Sequence, residues 1–295
     1  MAMTSMLTCS AHRDATPLLT DATALRQRAA EDGCLFFSGL LPAEPLLALR
    51  RQVLEVAARH DFLDSAADLE EGRAKPGFAI FESADPAWRD YYNDILRLRD
   101  FHALALHPAI IGPLERVFGE TVLAHSRNIC RTIFPTNETM TTPPHQNFHH
   151  IGGTEETWTV WFPLSDCPAE LGGLAVLPGS HRNGLLETRE AYGAGGTGVD
   201  VDDNAAWRWN EMKCGDVIML QSLTVHQGVD NTSGDRIRNS VDFRYQPQSH
   251  PVRAVSFEPH MGCITWDEIY EGWPDGEDPV KGYWEQAPLD FANAK

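Results

Sequence analysis

A mainly β chain, a jelly roll with helices at its N-terminal side, is predicted by three observations. After Gly119 the texture of the 295-residue sequence changes: helical periodicity gives way to short apolar runs punctuated by Gly, Pro, Asn and Asp. Those runs are strand-sized and recur at the spacing of a sandwich or barrel. The composition, 42% hydrophobic and 22% charged, is that of an ordinary globular protein and excludes a disordered, collagenous or coiled-coil chain. At ~150 residues per domain two domains would fit, but single β domains reach ~200–250 residues. The expected layout is a flexible N-terminus over 1–14 and one domain over 15–295. Within it lie a helical part (15–119), a jelly-roll part (120–250) and a C-terminal tail (251–295).

The elements follow in order. Asp21 suits a helix N-cap, and the helix after it places Leu25 and Ala29 on one face. Asp32-Gly33 is a turn and Cys34–Phe37 a short buried strand. Pro42–His60 is amphipathic, with Leu46, Leu47, Val53, Leu54 and Val56 on its apolar side. A polar stretch over 64–76 precedes helices at Pro86–Leu98, Phe101–Leu106 and Pro108–Phe118, with Pro108 and Pro113 near helix starts. Strands are expected at Thr121–Ala124, Ile129–Phe134, Thr157–Pro163, Gly173–Leu177, Asp216–Gln221 and Arg238–Tyr245. Thr188–Asn204, rich in Gly, Asp and Ala, reads as a long surface loop of the kind that forms lids. Trp266, Trp273 and Trp284 give the tail apolar surface with which to pack back on the body.

Charge and cysteine content narrow the function. Lys+Arg 24 against Asp+Glu 42 gives a formal net charge of −18. That field repels phosphate backbones and anionic bilayers, so nucleic acid and membranes are excluded as expected partners and a small-molecule substrate is favoured. The sequence does not set the oligomeric state. The six cysteines form no CxxC pair and read as reduced, buried thiols. The N-terminus lacks a cationic segment followed by an apolar one, and no apolar run approaches the ~20 residues of a membrane span. A soluble, cytoplasmic protein is expected.

Four of the twelve histidines stand in informative surroundings: His145, His149, His150 and His226. The first three lie between Pro143-Pro144 and Gly152-Gly153, which reads as a non-helical segment and excludes a zincin-type helix. In an extended chain residues 145 and 147 share a face. Two such side chains and a distant His226 could occupy one face of a metal's octahedron, as in mononuclear iron sites with open positions for co-substrate and dioxygen. A pair of purely structural histidines is the competing reading. Further on, Arg238 and Ser240 would share the inward face of a strand placed beside the one that leads to His226. A buried guanidinium with a neighbouring hydroxyl receives a carboxylate well. The plain alternative is that Arg236, Arg238 and Arg244 are all solvated.

The strings TVWFPLSDCPAELGGLAVLPGSH and HQGVDNTSGDRIRNSVDFRYQ, with His145-Gln146-Asn147 upstream, resemble the phytanoyl-CoA dioxygenase family of iron(II)/2-oxoglutarate-dependent oxygenases. The likeness runs from about Gly33 to Trp284 and is densest over 143–247. It implies a double-stranded β-helix, the jelly roll read above. It also implies Fe(II), 2-oxoglutarate and O2 as cofactor and co-substrates, and hydroxylation of a C–H bond with release of succinate and CO2. By the same resemblance His145 and His226 are iron ligands, and Arg238 and Ser240 take the distal carboxylate of 2-oxoglutarate. Trp161 would stand beside the co-substrate, and Gln146 and Thr142 would line the pocket.

One position departs from the family pattern. The metal motif is His-x-Asp, and here Asn147 stands where the carboxylate belongs. An amide oxygen donates a dipole and neutralises no charge. Three readings stay open: Asn147 ligates weakly in an active site; the site is impaired, as in a pseudoenzyme or an engineered variant that acts as a binding protein; or His149 takes the ligand role. A chloride position, as in related halogenases, is disfavoured by the bulk of Asn147. So is the reading of Asn147 as a plain turn residue.

Overall fold

In this computed structural model, residues 9–80, 82, 85–135, 141–274 and 276–292 are described. The elements are α1 (Ala22–Asp32), β1 (Cys34–Phe37), α2 (Ala43–Arg59), α3 (Pro86–Leu96), α4 (Arg99–Leu104), α5 (Pro108–Phe118), β2 (Val122–Ala124) and β3 (Ile129–Ile133). They continue as α6 (Phe148–Ile151), β4 (Trp158–Pro163), β5 (Gly173–Val176), β6 (Thr188–Glu190), β7 (Thr197–Val199), β8 (Val217–Gln221), β9 (His226–Val229), β10 (Arg238–Pro247) and α7 (Trp266–Tyr270).

The N-terminal helices form for the reasons their sequences suggest. Asp21 caps α1 by accepting from the Thr23 and Ala24 N–H groups, and Gly33, at φ 67°, ends it in the left-handed conformation that favours glycine. In α2 the buried side is Leu46, Leu49, Val53, Leu54 and Val56. Leu47, expected there, is 46% exposed, because it projects a full turn-face away from Leu46. Pro113 lies inside α5 rather than at a start; Pro108 occupies the start.

The strands form two antiparallel layers. The larger runs β1-β8-β4-β10-β2, with β3 also on β10. The smaller pairs β5 with β9 and is lengthened by bridges from His145 to His226 and from Val176 to Arg208. Together they make the jelly roll. Arg238 opens β10, but β10 does not lie beside β8; β4 stands between them, paired with both.

The ten residues of β10 are buried on both faces. Alternation along the strand divides its side chains. Val241, Phe243 and Tyr245 face the helices: Phe243 meets Phe101 at 5.8 Å between ring centroids, and Tyr245 Oη donates to Ala105 O at 2.8 Å. Each aromatic buried there contributes about 2–3 kcal/mol. Arg238, Ser240, Asp242 and Arg244 face the space between the layers. Opposite them on β4 and β3 stand Thr159, Trp161 and Arg131, through the cross-strand pairs Arg244–Thr159, Asp242–Trp161 and Ser240–Arg131.

Two expectations change at the edges and a third holds. Residues 1–8 lie outside the described residues, but 9–14, expected to be flexible, are held: Ser10 N donates to Trp207 O and Arg13 pairs with Asp32. Thr188–Asn204 is not a plain loop, since β6 and β7 pair within it as a two-stranded ribbon. The tail does pack back: Trp284 stacks on Phe257 at 6.2 Å, and Trp273 Nε1 donates to Arg97 O at 2.8 Å. Among the described residues no helix is long and apolar enough to cross a membrane. All six cysteines are free thiols.

Two predictions test this packing. Gly172 has φ 82°, and a Cβ there would lie 2.2 Å from Val229 O and 2.5 Å from Asp230 O. Those are backbone atoms of the opposing strand and its exit, so Gly172→Ala should cost at least about 2 kcal/mol, combining backbone strain and overpacking. A shift in the urea midpoint at unchanged slope measures it. The second concerns acid. Burial holds His102 and His12 down to about 4, and Arg208 adds to the effect at His12. The folded values lie below the unfolded one, so the unfolded chain takes up protons first. Stability is therefore full above about pH 6.5 and falls toward pH 4, at up to ~1.4 kcal/mol per pH unit for each such histidine. Urea midpoints between pH 7.5 and 5 should fall with acid and less steeply in His102→Gln; a flat wild-type profile would contradict this.

Candidate active site

The pocket between the layers is built on a reciprocal backbone pair. His145 N donates to His226 O at 3.0 Å and His226 N to His145 O at 3.1 Å. That exchange brings two distant segments into register and sets the imidazole centroids 4.1 Å apart. Each ring is then fixed by a carbonyl two residues before it. His145 Nδ1 donates to Pro143 O, and His226 Nδ1 to Thr224 O, both at 2.8 Å. Carbonyls only accept, so each Nδ1 carries its proton and each Nε2 presents a lone pair to the pocket. Burial lowers both basicities, His226 to about 4, and at His145 the neighbouring His226 lowers it further. Both rings are neutral at pH 7, as metal ligands must be.

Asn147 reaches the same pocket by a different backbone route from the one expected. At φ −64° and ψ −25° it is helical and opens the short turn α6, so the segment is not extended throughout. Its Nδ2 donates to Thr159 Oγ1 at 2.9 Å, which leaves Oδ1 as the atom free to face His145 and His226. The three side chains line one pocket together with Trp161, Thr142 and Arg238. Among the described residues no group of three His, Cys, Asp or Glu gathers here. Two imidazoles and an amide oxygen are the donors available. They suit a divalent ion of the iron type, with less charge compensation than a carboxylate gives.

Other expected residues separate. Arg238 is 5% exposed and lines the pocket. Its Nη1 donates to the carbonyls of Leu171, Gly173 and Val229, while its Nε has no acceptor. Ser240 is fully buried with Oγ unpartnered. Two orphaned donors on one strand face are what a bound carboxylate would satisfy. Arg236 is the solvated arginine, paired with Glu170. Gln146 is turned away: its Nε2 donates to Gly184 O and Leu223 O and its Oε1 accepts from Leu186 N, so it locks a loop. Residues on either side of it face the pocket, and the backbone alternation sends Gln146 outward. His149 does not take a ligand role, because its Nε2 is bonded to Leu186 O and it does not line the pocket.

The sequence reading missed the acidic and basic groups beside the histidines. Arg131 lines the pocket, with Nε donating to Asp242 at 2.8 Å and Nη1 to Glu82 at 2.7 Å. Burial works against its charge, but the two carboxylates outweigh it and raise its pKa. The signal was present: Asp242 and Arg244 continue the period of two begun by Arg238 and Ser240. What was absent was the partner strand that gives Asp242 its cation.

The phytanoyl-CoA dioxygenase (PhyH) model matches residues 29–240. A curated relative, the 1-deoxypentalenic acid 11-beta-hydroxylase of Streptomyces arenae, is 28% identical over 261 residues, 82% of this chain and 87% of the relative. A Streptomyces exfoliatus protein of the same name is likewise 28% identical, over 260 residues and the same two shares. Among solved structures, the epimerase SnoN in complex with Fe3+, alpha ketoglutarate and nogalamycin RO is similar at TM-score 0.55 and 18% identity, over 88% of this chain and 93% of that one. The apo form of EctD from S. alaskensis is similar at TM-score 0.54 and 14% identity, over 88% of both chains. These structural likenesses concern the fold, which is the jelly roll described above. With the family model spanning most of the β layers and the helices before them, this chain belongs to the phytanoyl-CoA dioxygenase family of iron(II)- and 2-oxoglutarate-dependent oxygenases.

Proposed function

We propose that this oxygenase hydroxylates an unactivated C–H bond of a small molecule, using His145, His226 and Asn147 to hold iron(II) and Arg238 with Ser240 to hold 2-oxoglutarate. The observation that carries the reading is the pair of imidazoles whose Nδ1 protons are committed to carbonyls and whose Nε2 atoms converge on the pocket. Bound iron would supply activation of dioxygen coupled to decarboxylation of the keto acid to succinate and CO2. The chain's own residues position and exclude. Arg238, pinned by three carbonyls, keeps a donor directed at a fixed point, so a dicarboxylate docks in one pose. Trp161 and Thr142 wall the pocket. The Arg131–Asp242–Glu82 cluster, one cation held between two carboxylates, leaves a single net negative charge beside the histidines. The free thiols and the absence, among described residues, of a membrane-crossing helix support a cytoplasmic location.

Asn147 favours a second reading as well, a site whose iron is held too weakly for full turnover and which serves mainly to bind. One comparison separates the two. Asn147→Asp should bind iron(II) more tightly and raise succinate formation, because an anion at short range offsets the ion's charge. His145→Ala should abolish both. If Asn147→Asp changes neither while His145→Ala removes both, Asn147 is not a ligand position. For the co-substrate, Arg238→Met should raise the 2-oxoglutarate KM at least tenfold, the loss expected of a charge-assisted hydrogen bond. The urea midpoint should move little by comparison.

A further inference from the structure

A second cavity, of about 190 Å³, opens beyond the pocket, with Arg127, His125, His150, Arg244 and His260 in its wall. Among the described residues no Asp or Glu lines it, although the chain carries a net charge of −18. Arg244 is 7% exposed, and its guanidinium makes no hydrogen bond or ion pair with any described residue; its Nε is buried and unpartnered. The nearest carboxylate along the strand face, Asp242, is bonded to Arg131. A buried cation without a partner is strongly unfavourable, so an anion from outside the chain would stabilise the one retained here. The other groups leave that role to Arg244. Arg127 Nη1 donates to Glu258 O and Pro259 O. His125 Nε2 donates to Gln246 Oε1, whose amide nitrogen is itself donating, so His125 Nδ1 is an acceptor that would not hold an anion. Tyr92 Oη holds His260 Nδ1 at 2.8 Å.

We infer that Arg244 and this cavity form a binding subsite for the carboxylate of a small organic acid, the substrate side of the oxygenase, separate from the site at Arg238. Arg244 does not line the histidine pocket and Arg238 does not line this cavity. The two spaces are neighbours across the histidines: His150 lines the cavity, and its ring lies 6.2 Å from that of His145, which lines the pocket. An acid anchored on Arg244 therefore presents its body toward the histidine pair. The remaining wall includes Ile129, Ile151 and Val255, which suit an apolar body. A cavity of about 150 Å³ admits a benzene ring, so an aromatic acid of that size fits.

Only the assignment of Arg238 to 2-oxoglutarate rests on the function proposed above; the Arg244 site does not. The probe is benzoate, with benzamide as its neutral counterpart, titrated calorimetrically into the full chain without metal. Benzoate should bind and raise Tm, and benzamide should bind at least tenfold more weakly. Arg244→Met should weaken benzoate at least tenfold and abolish its thermal shift, while its own Tm without ligand stays level or rises, because an uncompensated cation has gone. Val255→Phe, which fills the cavity and leaves Arg244 intact, should also exclude benzoate and guards against a misfolded Arg244→Met. In parallel, anaerobic iron(II)-loaded Arg244→Met should bind 2-oxoglutarate as wild type does. Equal benzoate affinity in wild type and both variants would overturn the subsite. So would benzoate that 2-oxoglutarate displaces and Arg238→Met loses, since the carboxylate would then sit in the co-substrate site. A failure confined to the 2-oxoglutarate arm, insensitive to Arg238→Met, would strike the co-substrate reading and leave the Arg244 subsite standing.

Discussion

The exchange of two backbone hydrogen bonds between His145 and His226 is the constraint on which the rest of the site depends. It is the point where the segment after Pro144 joins the smaller sheet, and it fixes Cα positions before any side chain is considered. With the backbones paired, each ring has a carbonyl from its own segment within reach, and the tautomer follows. A metal pair assembled from loops would have to order both rings on binding. Here the ordering is part of folding, so the loss of rotamer freedom precedes any ligand.

The interior between the two layers carries a row of polar and charged side chains, and its polarity is sorted by strand. Even-numbered residues of β10 supply Arg238, Ser240, Asp242 and Arg244 in a row, while the odd-numbered ones bury aromatic surface against the helices. Within that row the charges are treated differently. Asp242 and Glu82 share one cation, Arg131, which lies between them. Arg238 is supported by carbonyls and Arg244 by nothing in the described chain. Burial draws the Arg244 pKa down to about 10, which leaves it charged at neutral pH. A fold that neutralises one cation fully and leaves two others incomplete has marked where anions are received.

Asn147 is the position where family and chain part. Its side chain occupies the pocket and its Nδ2 is engaged by Thr159, the cross-strand partner of Arg244. The amide is thus held by the same β4 face that carries Trp161. A carboxylate placed there would accept from Thr159 Oγ1 and add the charge that two neutral imidazoles lack.

Much of this was legible in the chain of letters. The helix caps, the strand positions and the inward pairing of Arg238 with Ser240 are local periodicities, and local sterics and burial enforce them wherever the strand lies. The amphipathic face of α2 was read with Leu47 on it, whereas the helix buries Leu49 and leaves Leu47 46% exposed at the edge of the apolar arc. The helical conformation at Asn147 was not legible. It follows from where the chain must go after it has paired with His226, and no local propensity sets that. The partners of Asp242, the isolation of Arg244 and the placing of β4 between β8 and β10 belong to the same class. Family membership, the period of each strand and the residue types able to face a metal could be read from the letters alone. Which of those groups meet could not, because charge compensation in a buried space depends on residues contributed by strands far apart in the chain.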